Sequence, residues 1–147
     1  MYKKILFLAA CLSFTTVSFA QKAKVNEAIR EMEKAQTAAS KSDAAKEAEA
    51  YTKAKAAIDL AMTDESTKDK AKTLYTKAGI YLGMQNNSQL NADNPYVEGL
   101  AALQKAIELD KKYEKEPQTA SMLANSAFYL YNDGIQTYNN NKFAEAY

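Results

Sequence analysis

From Lys22 onward, apolar residues return every three or four positions, and no stretch alternates with a period of two. That is the signature of one-sided α-helices. A first helix is predicted from about Lys24 to Ala39, with Val25, Ala28, Ile29, Met32 and Ala35 on one stripe. Ser40 to Asp43 breaks it, and Ser42 or Asp43 can cap the next. The second spans about Ala44 to Met62, with a small-residue face of Ala50, Ala54, Ala57, Ile58 and Ala61. Ser66 with Asp69 resembles a capping box, opening a third helix from Thr67 to about Gln85. Its stripe is Ala71, Leu74, Tyr75, Ala78, Tyr81 and Leu82. A polar linker, 86–94, leads to a fourth helix from Pro95 to about Tyr113, capped by Asn94 with Pro95 at its first position. Its apolar set is Val97, Leu100, Leu103, Ala106, Ile107 and Leu109. The fifth starts at Pro117 and carries Ala120, Leu123, Ala124, Ala127, Leu130, Tyr131, Gly134, Ile135 and Tyr138 on one stripe. After Asn139-Asn140-Asn141, the run Lys142 to Tyr147 reads as the opening of a sixth.

The first twenty residues follow a different pattern. Lys3 and Lys4 precede an uncharged run from Ile5 to Ala20, which ends in small residues at Ser18 and Ala20. This is the layout of a secretory signal peptide cleaved after Ala20. The run is too short and too rich in Ser and Thr for a spanning helix. Leu8-Ala9-Ala10-Cys11 offers an alternative, lipidation of Cys11 as an outer-membrane lipoprotein. The expected organisation is a signal peptide, 1–20, and one helical domain, 21–147. That domain is read as incomplete at its C-terminus, because the sixth helix has only begun. Export to the periplasm or cell envelope follows, with no integral membrane segment once the signal is removed.

Composition narrows the function. The chain has 147 residues, 19 basic and 18 acidic ones, no His and no Trp, and its single Cys lies in the signal. A disulfide framework is therefore excluded for the remainder, as are His- or Cys-based nucleophilic triads and zinc sites. The charges are mixed along the chain, so nucleic-acid binding is not expected. Asp64, Glu65, Asp69 and Asp93 lack calcium-loop spacing. Glu31 with Glu33, and Glu47 with Glu49, lie two apart and so do not share a helix face. No catalytic residue, cofactor or metal is expected.

Leu74, Ala78 and Tyr81, then Gly99, Leu103, Ala106 and Leu109, then Gly134, Phe143 and Ala146, together resemble tetratricopeptide repeats. Ala50, Ala54, Ala57, Ile58 and Leu60 look like a degenerate helix of an earlier unit. The chain departs from that family at the inserted 86–94 linker, at Thr137 and at Lys111. With its signal, it is similar to exported repeat proteins of Bacteroidetes-type bacteria. The resemblance implies an all-α fold in which helical hairpins stack as a right-handed α-solenoid. It also implies a concave groove that grips a partner peptide or helix, with groove positions at Lys72, Tyr75, Leu82, Phe128, Tyr131, Asn132 and Tyr138. Tyr75, Tyr131 and Tyr138 also sit on the apolar stripes and read equally as hairpin core.

The function expected is that of a protein–protein interaction scaffold of the bacterial cell envelope. One alternative is self-association as a structural or assembly protein. Another is an adaptor segment of a longer protein with a further domain beyond residue 147.

Overall fold

The computed structural model describes residues 22–140, and among them every regular element is helical. Helix α1 covers 22–40. It is followed by α2 (Ala44–Met62), α3 (Ala71–Gln85), α4 (Tyr96–Leu109), a 3-10 turn (Lys111–Lys115) and α5 (Pro117–Asn139). The signal-peptide reading of 1–20 and the sixth helix from Lys142 lie outside the described residues. No described helix is long and apolar enough to cross a membrane.

Local chemistry sets the ends. After α1, the Asp43 amide donates to the Ala38 carbonyl and the Ser42 amide to the Ala39 carbonyl, with Ser42 at φ 57°. This is a Schellman closure with serine at the position glycine usually takes. Asp43, not Ser42, then caps α2 by accepting from the Lys46 amide at 3.1 Å.

Three expected ends shift. Helix α3 begins at Ala71 rather than Thr67, because the turn before it consumes its own polar groups. There the Thr67 hydroxyl donates to the Ala61 carbonyl at 2.5 Å, and the Ser66 amide donates to Asp64, so no Ser66–Asp69 capping box forms. Asn94 does not cap α4. It takes a left-handed conformation, φ 48°, and Pro95 stands before the first helical residue, Tyr96. Helix α4 ends at Leu109 instead of Tyr113. Asp110 turns extended and accepts the Lys112 amide, starting the 3-10 turn.

Two cores form. In the first, α1 and α2 meet α3 through Ala28, Ala54, Ile58, Ala61 and Ile80, all fully buried. The alanines allow the helices to approach closely, and Tyr51, Tyr81 and Met84 fill the remaining space. In the second, α3 meets α4 through Ala78, Leu82, Tyr96, Ala102 and Leu103. A Cβ on Gly99 would meet Leu82 Cγ at 2.8 Å, so this glycine is what lets α4 lie against α3. Helix α3 is therefore central. It is buried nearly all round, including Thr73, Thr76 and Ile80 outside the expected stripe. The linker is tied back to α2 by the Asn87 side-chain amide, which donates to the Ala44 carbonyl at 3.1 Å.

Helix α5 reverses expectation. Only Thr119 and Ser126 are buried, and Met122 and Tyr129 are half-buried. The predicted apolar stripe faces outward, with Leu123, Leu130, Tyr131, Ile135 and Tyr138 all exposed. In α4 likewise, Val97 and Leu109 of the expected apolar set are exposed.

Candidate binding groove

Helices α1, α3 and α5 together line a groove of about 240 Å³, with α2 contributing Tyr51 from below. The floor is α3, where Gly79 and Gly83 stand one turn apart and remove the side chains that would fill it. Met32 Sδ, 2.9 Å from a Cβ position on Gly79, and Met122 close the floor from either side. The Tyr51 ring lies against Gly83, nearer than any side chain there would allow.

The walls are amides and a hydroxyl: Gln36 on α1, Asn86 at the end of α3, and Gln118, Ser121 and Asn125 on α5. None of the lining residues is charged. Each amide offers both a donor and an acceptor. Tyr51 is 4% exposed, and among the described residues its hydroxyl has no hydrogen-bond partner. Burial, and secondarily the nearby Glu47 carboxylate, push this phenol up to about 12. It therefore stays a neutral donor at any physiological pH.

Tyrosine hydroxyls fix α5 as the outer wall. The Tyr75 hydroxyl and Thr119 Oγ1 are 3.1 Å apart. Thr119 already donates to the Tyr113 carbonyl at 2.6 Å, so the Tyr75 phenol is the donor. The Tyr96 hydroxyl donates to Asp133 at 3.1 Å, and the Tyr129 hydroxyl donates to Asn86 at 2.5 Å. Tyr75 also stacks on Tyr113, with ring centroids 4.4 Å apart.

The residues expected from the family pattern distribute over five places. Leu82 lines the groove, although its side chain is mostly spent on α4. Phe128 and Asn132 continue the face of Gln118, Ser121 and Asn125 by spacing of three and four, and so extend the wall along α5. Tyr75 sits in the α3–α5 junction. Lys72 lies at the far end of α3, donating to Asn26 Oδ1 at 3.4 Å. Tyr131 and Tyr138 stand on the outward stripe of α5, away from the groove.

Gln36, Tyr51, Gly79, Gly83, Gln118, Ser121 and Asn125 were not among the expected positions. The polar file 118–121–125 on a helix otherwise read for its apolar stripe was the signal available for three of them. Compared with protein-family models, with curated proteins and with solved structures, the chain matches none.

Proposed function

We propose that this chain is an interaction scaffold of the tetratricopeptide-repeat kind, exported to the cell envelope, and that it holds an extended segment of a partner protein in the groove of α1, α3 and α5. The observation that carries this reading is the groove's lining: uncharged amides on both walls over a floor of two glycines. An extended peptide presents alternating N–H and C=O groups, and side-chain amides satisfy both kinds. The glycine floor lets that backbone approach α3 closely. The alternation of helices supports the stacked-hairpin reading, since α1, α3 and α5 line the groove while α2 and α4 lie behind them. The envelope location rests on the charge and hydropathy pattern of residues 1–20.

The test is affinity capture from cell-envelope extract by the parent and by a Ser121→Arg, Asn125→Ala variant. Both residues are exposed, so circular dichroism should report unchanged helicity. A defined protein held by the parent and released by the variant is the expected result. Equal capture by both would remove the groove as the binding site.

A further inference from the structure

Asn26 of α1 meets Lys72 of α3, and Met32 packs on Gly79, so these two helices run side by side in one direction. Their first turns therefore lie together. Between them, beside the Ser66-Thr67 turn, is a hollow of about 360 Å³. Lys22, Lys70 and Lys72 line it, and no lining residue is acidic. The carboxylates of the turn before α3 are engaged elsewhere. Asp64 accepts from the Ser66 amide, Glu65 pairs with Lys68, and Asp69 pairs with Lys105 at 3.0 Å. Among the described residues Lys70 has no ion pair, and the Lys72 ammonium reaches only the Asn26 side-chain oxygen, at 3.4 Å.

Helix α3 opens into this hollow without a cap. Lys70 offers no side-chain acceptor, and the first turn has no acidic residue. The amides of Ala71, Lys72 and Thr73 have no acceptor among the described residues. Such a helix start carries partial positive charge. A second observation is independent of the backbone. Thr73 lines the hollow and is only 2% exposed, yet its hydroxyl has no hydrogen-bond partner among the described residues. Its buried neighbours are satisfied: Thr67 donates to the Ala61 carbonyl and Thr76 to the Lys72 carbonyl. Buried hydroxyls are normally paired, so the unpaired one marks where a ligand atom is missing.

We propose that the first turns of α1 and α3 bind a phosphate group, free or in a small phosphomonoester. Lys70 and Lys72, with Lys22 beside them, balance its charge. The α3 amides and the Thr73 hydroxyl donate to its oxygens. Several cations with no carboxylate among them favour a dianion over a carboxylate. Buried Val25 and the lysine stems supply an apolar wall for an ester's organic part. Gly79, the first groove residue of α3, lies about 9 Å farther along the helix, so this site and the groove are separate.

An amide NMR titration of the full chain with inorganic phosphate, glycerol phosphate and acetate tests this. Saturable shifts centred on Ala71, Lys72 and Thr73 are expected for both phosphates, with acetate at least about tenfold weaker. Tighter binding of glycerol phosphate assigns the hollow to a monoester, and equal binding assigns it to free phosphate. Lys70→Gln with Lys72→Gln, both exposed, should keep the helicity and weaken binding at least about tenfold. Thr73→Val keeps the side-chain shape and removes only the unpaired hydroxyl, so the fold should persist while affinity drops several-fold. Lys46→Gln with Lys53→Gln, on α2, should change nothing. Absence of saturable binding, shifts spread over lysines throughout the chain, or acetate binding as tightly would overturn the proposal. So would binding that is indifferent to the paired lysine change or to Thr73→Val.

Discussion

Helices α2 and α5 are both amphipathic by pattern, yet they are held by opposite means. Helix α2 buries its stripe: Ala54, Ile58 and Ala61 have no exposure, and α1 and α3 close over them. Helix α5 is held through Thr119 and three tyrosine hydroxyls, with only Met122 and Tyr129 half-buried against the second core, while its stripe faces solvent. Dry packing of the first kind contributes in proportion to area, about 25 cal/mol per Å² of apolar surface. Each hydrogen bond of the second kind contributes about 1 kcal/mol net. The molecule therefore has a firm end and an end that is weakly fixed and apolar outside. An amphipathic pattern says which face is apolar, and only the neighbours decide which face is covered.

The contrast can be broken most sharply in the first core. Ile58→Ala should cost about 3 kcal/mol in urea unfolding, because a fully buried side chain leaves a cavity. Ile135→Ala, the same change on the stripe of α5, should cost less than about 1 kcal/mol in the monomer. Equal losses at the two sites would erase the distinction.

Next in size is Gly83→Ala. Its methyl group would occupy the space of the buried Tyr51 ring, and about 2 kcal/mol should be lost. Pairing it with Tyr51→Ala should not produce the sum of the two single costs, since one conflict is shared.

A smaller effect is expected where α5 is tied down. Tyr96→Phe removes the bond to Asp133 and should cost about 1 kcal/mol. Hydrogen exchange should show the loss concentrated in α5 amides, with α2 unaffected; uniform acceleration would mean that α5 is not a separately stabilised element.

A separate effect appears only at alkaline pH. Burial first, and then the Asp59 hydrogen bond, push the Tyr81 phenol up to about 12, as burial does for Tyr51. The unfolded chain loses these protons from about pH 10 while the folded chain keeps them. Stability should thus be level to pH 10 and fall between 10 and 12. Tyr51→Phe should flatten part of that fall, and an unchanged profile would remove Tyr51 from the account.

Much of the local structure was legible in the chain. Helix α2 begins and ends where Asp43 and the Thr63-Asp64 turn predicted, because capping and turn chemistry act over three or four residues. The alanine face of α2 was legible for the same reason: a helix places 50, 54, 57, 58 and 61 on one side whatever surrounds it. The all-helical class followed from the period alone.

What lay between elements was not legible. The near-complete burial of α3, the outward turn of α5's apolar stripe, and the meeting of Gln36, Tyr51, Gly83, Ser121 and Asn125 around one groove all depend on which helix lies beside which. Those choices are made by close approaches at Gly79, Gly83 and Gly99, and by tyrosine hydroxyls that reach partners 22 to 44 residues away. A pattern of period 3.6 reports the faces of one helix. The pairing of faces is a property of volumes and hydrogen-bond partners that are distant in sequence, and only the tertiary structure brings these together.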